Sequence, residues 1–98
     1  MLTKKIIKQR IQQNKDKLDS LGIDLIGLFG SYVREEQRAD SDIDIFISFK
    51  GGYETFNNFM DLSYLLEEIF KGVKVEIITQ NGLSPYIGPK ILKEVEYV

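Results

Sequence analysis

From Asp42 to Phe49 the chain carries an apolar side chain at every second position, with Ile43, Ile45, Ile47 and Phe49 alternating with Asp42, Asp44, Phe46 and Ser48. A period of two belongs to an extended strand, in which alternate side chains share a face. The isoleucines therefore face a core. Asp42 and Asp44 point together to the other side, roughly 6.5–7 Å apart at a rise of about 3.3 Å per residue. Two carboxylates so placed on a half-buried strand repel one another and lose hydration unless a cation offsets them. A solvated sheet face is the plain alternative. A calcium loop starting at Asp40 is excluded, because its sixth position would be Ile45 instead of glycine and its twelfth Gly51 instead of glutamate.

A second feature precedes this strand. The apolar run Leu25-Ile26-Gly27-Leu28-Phe29 ends at Gly30-Ser31. Gly30 has no Cβ and lets the backbone approach an oxyanion closely. Ser31 adds a hydroxyl, can cap a short helix, and opens a set of free N–H groups that favour negative charge. Arg34 lies one helical turn further on the same face, where its guanidinium can bind a phosphate. Taken alone, Gly-Ser before a helix is weak evidence, because serine is a common helix cap.

A third carboxylate comes from Val73-Lys74-Val75-Glu76-Ile77-Ile78. Val73, Val75 and Ile77 form the core side, which puts Glu76 on the opposite face. If this strand lies beside the first, Glu76 joins Asp42 and Asp44 on one surface. Three carboxylates can hold two Mg²⁺ ions about 3.5–4 Å apart and clamp a triphosphate. The chain contains no histidine and no cysteine. Imidazole bases, histidine triads and the usual His/Cys zinc sites are thereby excluded. Glu76 is then the best candidate to draw a proton from an incoming hydroxyl. The lack of disulfide chemistry fits a cytoplasmic setting.

The 98 residues suit one core and a single domain over 1–98. No apolar run approaches the roughly 20 residues of a membrane span, and the start Met1-Leu2-Thr3-Lys4-Lys5 lacks a signal peptide's apolar stretch. The patterning predicts a helix over Thr3–Leu21, a strand over Ile23–Phe29 and a short helix from Ser31 to Gln37. A strand over Asp42–Phe49, a helix over Thr55–Phe70 and a strand over Val73–Thr79 follow, with a final helix near Lys90–Glu94. The order α-β-α-β-α-β-α is an α/β sandwich with helices flanking a small sheet. The Gly30–Ser41 link is tight for a parallel crossover, so a mixed sheet is expected. The first twenty residues hold six basic and two acidic side chains in a chain of net charge −2. Without interleaved aromatic residues this reads as a solvated helix face, and no direct nucleic-acid binding is expected.

At these residues the chain resembles a known family. Gly30-Ser31, ten intervening residues and then Asp42-x-Asp44 match the minimal nucleotidyltransferases of the DNA polymerase β-like superfamily. The run from Gly27 to Arg34, Ser41 ahead of the aspartates and Leu83-Ser84-Pro85 are similar as well. The likeness covers nearly the whole chain. It implies the minimal nucleotidyltransferase fold, with Asp42, Asp44 and Glu76 as catalytic and Mg²⁺-binding residues. It also implies a triphosphate site at Gly30 and Ser31, joined by Arg34 and Ser41, with ATP as substrate.

The partner implied is a HEPN-type ribonuclease toxin, silenced by transfer of AMP to a tyrosine, in a hetero-oligomeric complex. That no second domain is left to enclose a small acceptor points the same way. Two alternatives stay open: transfer to a small molecule such as an aminoglycoside, and an antitoxin that acts by occlusion alone. The chain departs from the family pattern at Glu35, where many members have glycine, and at Glu76, where aspartate is frequent.

Overall fold

The computed structural model describes residues 2–98. The first helical stretch is two helices instead of one, α1 (Lys4–Gln13) and α2 (Lys15–Ser20). Thr3 caps α1 by accepting the Ile6 N–H at 3.2 Å. The break falls at Asn14, whose side-chain amide donates to the Arg10 carbonyl at 2.8 Å. An asparagine amide competes for backbone groups in this way and weakens a helix interior. Ile7, Ile11 and Leu18 nevertheless stay on one buried stripe.

Strand β1 (Ile23–Phe29) leads into α3, a single turn over Ser31–Arg34. The sequence predicts this helix to reach Gln37, but it stops because Glu35 turns left-handed, at φ 58° and ψ 36°. The Glu36 N–H then returns to the Ser31 carbonyl at 2.9 Å, a helix-ending arrangement in which glycine is the usual residue. The departure at Glu35 thus falls where the backbone favours glycine.

After β2 (Ile43–Phe49) comes α4 (Phe56–Ile69), capped by Thr55, and then β3 (Val75–Thr79) and a 3₁₀ turn at Gln80–Gly82. Helix α5 (Gly88–Glu94) begins two residues ahead of expectation, with Pro89 in its first turn, where proline's fixed φ is preorganised. A two-residue strand, β4 (Glu96–Tyr97), closes the chain; it is too short to carry a periodic signal.

The sheet order is β3-β2-β1-β4. Strand β1 runs antiparallel to β2 and to β4, whereas β2 and β3 are parallel, so the sheet is mixed as expected. On one face Ile7, Ile11, Leu18, Leu62, Leu66 and Phe70 cover Ile26, Leu28, Ile43, Ile45 and Ile47. Burying such a side chain contributes roughly 1.5–3 kcal/mol. On the other face a smaller cluster joins Phe29, Phe46 and Ile91, with Ile78, Leu83 and Val95 around it, and Tyr97 meets Phe46 edge-on at 6.3 Å. This second cluster covers Phe46 and leaves the neighbouring Asp44 end of the same face open.

The basic charge of α1 is partly used internally. Lys8 and Lys4 both reach Glu96, at 2.7 and 3.2 Å, tying the first helix to the last strand. Among the described residues no helix is long and apolar enough to cross a membrane.

Candidate active site

Asp44 is the centre of the candidate site. On one side its register partner across the parallel pair is Glu76, and on the other its antiparallel partner is Phe29, directly before Gly30. Alternation alone would place Glu76 on the same face as Asp44; the register puts the two side by side. Asp42 sits one residue ahead of β2, close enough to bear on Asp44 electrostatically.

The Asp44 carboxyl is pushed up to about 6, first by partial burial beside the second cluster, then by the negative charges of Glu76 and Asp42 and a bond with Glu76; Arg34 opposes the shift. Glu76 itself is half exposed and lies 3.7 Å from Lys74.

Gly30 explains the close approach on the other flank. It adopts φ +80°, and a Cβ built there would collide with Asp44 Oδ2. Any other residue would strain the backbone and displace the carboxylate. The sequence predicts that this glycine admits an oxyanion of a triphosphate; the group that lies against it in this structure is Asp44. Ser31 follows at the start of α3, where the first N–H groups of a helix have no intrahelical acceptor.

Arg34 is near the site and already paired. Its Nη1 donates to Glu94 at 2.6 Å and its Nε to Glu36 at 2.7 Å, and these bonds hold its pKa above the ordinary guanidinium value. Ser41 is used in the loop, where its hydroxyl accepts the Arg38 N–H at 2.7 Å and closes the turn ahead of Asp42. Glu94 is the participant that sequence reasoning missed. Besides Arg34, it accepts the Gly30 N–H at 3.2 Å. A concavity of about 520 Å³ at the α4–β3 turn, lined by Glu67, Lys71 and Lys74 among others, contains none of the three acidic site residues.

The donor set suits magnesium. Mg²⁺ takes oxygen ligands, and the burial and negative neighbours that raise the Asp44 pKa are what a divalent cation would offset. Asp42, Asp44 and Glu76 would hold it. Among the described residues no three acidic side chains already converge on one point.

The description of the polymerase beta nucleotidyltransferase family matches residues 4–98. The chain belongs to this nucleotidyltransferase family. Among its relatives is the protein adenylyltransferase MntA of Thermococcus cleftensis, 35% identical over 99 residues that span 100% of this chain and 98% of the other. A solved structure described provisionally as a minimal nucleotidyltransferase superposes with a TM-score of 0.82. It is 28% identical and covers 97% of this chain and 95% of its own. A complex of tri-AMPylated Shewanella oneidensis HEPN toxin with its MNT antitoxin shares the fold at a TM-score of 0.56 and 21% identity, covering 88% of this chain and 69% of that one. As a nucleotidyltransferase, the chain cleaves a nucleoside triphosphate and passes on the nucleotidyl group.

Proposed function

We propose that this nucleotidyltransferase is a Mg²⁺-dependent protein adenylyltransferase, built as one domain, which transfers AMP from ATP to a tyrosine hydroxyl of a HEPN-type ribonuclease toxin and acts as its antitoxin. The observation that carries the reading is the packing of Asp44 between Glu76 and Gly30. It brings Asp44 against the turn at Gly30 that we read as the triphosphate site. The naming of the Thermococcus relative supports a protein as acceptor, and the Shewanella complex supports the toxin.

Each residue then has a defined task. Gly30 and Ser31 present backbone N–H groups and a hydroxyl to the triphosphate, and Arg34 adds a cation beside them. Ser41 holds the turn that delivers Asp42. Asp42, Asp44 and Glu76 would hold the metal, which when bound would neutralise charge on the triphosphate and its leaving group. Glu76 takes the proton from the acceptor hydroxyl as its oxygen bonds to the α-phosphorus; the bond to the bridging oxygen breaks and pyrophosphate leaves. Exposure of Glu76 at the sheet surface suits an acceptor that arrives on another macromolecule. An adenylyl group on the toxin would add bulk and negative charge where RNA phosphates must approach.

The test is co-expression of the toxin with the wild-type chain and with Asp44→Asn, followed by mass spectrometry. An AMP-sized increment on a toxin tyrosine only with the wild type is expected. Full neutralisation of the toxin with no increment would replace this reading by occlusion.

A further inference from the structure

Glu94 ends α5 and reaches back to the phosphate turn with both carboxylate oxygens. Oε2 accepts the Gly30 N–H at 3.2 Å and Oε1 accepts Arg34 Nη1 at 2.6 Å. A backbone amide and a guanidinium converging on two oxygens of one anion is a pattern that also recognises phosphate. The Glu94 side chain is only 19% exposed, against 64% for Glu36, the other partner of Arg34. Its charge is therefore poorly screened, and its contacts are geometrically defined. Two further carboxylates share these partners, Asp44 against Gly30 and Glu36 on Arg34. The Gly30 N–H has a single hydrogen to give, so a triphosphate oxygen that takes it displaces the carboxylate.

We propose that Glu94 is an internal occupant of the triphosphate site, standing in for a phosphate oxygen in the nucleotide-free protein and giving up Gly30 and Arg34 when nucleotide binds. The proposal rests on the reading of Gly30, Ser31 and Arg34 as the triphosphate turn. Binding then exchanges one anion for another at the same donors, so Glu94 sets the nucleotide affinity. Because Glu94 adjoins β4, which is held by Lys4 and Lys8 through Glu96, release of the carboxylate loosens α5 while the last strand stays anchored.

The experiment is calorimetric titration of the full chain with Mg²⁺ and a non-hydrolysable ATP analogue, and separately with inorganic tripolyphosphate. The proteins compared are the wild type, Glu94→Ala, Glu94→Gln, Glu36→Gln and Ser31→Ala. Glu94→Ala should tighten both ligands about tenfold, the scale of one lost charged competitor. Glu94→Gln should do so to a smaller extent and serves as the decisive variant if the alanine protein does not fold. Glu36→Gln removes the same charge from Arg34 without freeing Gly30, and should tighten binding by no more than about threefold. Unchanged or weaker binding in the Glu94 variants, with Ser31→Ala clearly weakened, overturns the proposal and leaves the phosphate turn standing. Equal tightening by Glu36→Gln reduces the effect to surface charge and also overturns it. Unchanged affinity in Ser31→Ala overturns the underlying reading instead.

Discussion

Asp44 and Glu76 are register partners across the parallel β2–β3 pair, and the Asp44 pKa is raised first by burial and then by the charge of Glu76. Removing the Asp44 charge should separate folding from catalysis. Asp44→Asn is expected to abolish nucleotidyl transfer while the metal-free protein unfolds at the same or a higher temperature, because the substitution relieves repulsion. Transfer of label from α-labelled ATP and a thermal melt are the two measurements. A fully active variant would remove Asp44 from the metal site.

The same crowding predicts a pH dependence. The native Asp44 carboxyl keeps its proton up to about pH 6, whereas its reference value is 3.8. Between these values the folded state binds more protons than the unfolded one. Stability of the metal-free protein should therefore rise as pH falls from 7 through 6, and level off below 3.8 as far as this group is concerned. With solvent screening the gain is on the order of 1 kcal/mol. Urea unfolding across pH 4 to 7 measures it, and saturating Mg²⁺ should flatten the rise by keeping the carboxylate ionised.

Gly30→Ala tests the close approach. Its φ of +80° and the collision of a Cβ with Asp44 act together, so the variant should lose about 2 kcal/mol or more of stability. Transfer activity should fall even at temperatures where the variant remains folded.

The opposite outcome is expected at Glu35, whose φ of 58° is left-handed. Its ion pair with Lys4 is long, at 3.9 Å, and 73% of the Glu35 side chain is exposed, so little is lost with it. Glu35→Gly should stabilise the protein by about 0.5–1 kcal/mol, the left-handed cost being partly offset by a more flexible unfolded chain. Chemical denaturation decides this, and a destabilised variant would contradict the account of how α3 ends.

Glu76→Gln probes the proton acceptor. It should retain measurable binding of Mg²⁺ and nucleotide while transfer drops by about 10²-fold or more. Wild-type rates in this variant would exclude Glu76 from the chemistry.

The half of the site that lies on strands was legible in the sequence because β2 and β3 obey a two-residue period, so the facing of Asp44 and Glu76 follows from alternation. Their register does not follow from it and emerges only in the folded sheet. Gly30 was legible as a special position, though its neighbour was not. Glu94 had no local signal, since its partners Arg34 and Gly30 lie 60 and 64 residues away and a glutamate at a helix end looks like ordinary surface. The break at Asn14 had a weak signal, a poor helix former in mid-helix, which the apolar stripe outweighed. The early stop of α3 turned on the left-handed backbone of Glu35, a conformation that glutamate does not advertise.

Strand β2 is bonded on both sides, to β1 and to β3, whereas the segment from Glu35 to Asp42 runs as turn and loop between a one-turn helix and the sheet. In hydrogen-exchange terms the site has two clocks. Amides around Asp44 should exchange only with opening of the whole sheet, while those of the loop escape through small local fluctuations. The carboxylates proposed to hold the metal are mounted on the slow part. The groups proposed to admit and release a triphosphate are mounted beside the fast one.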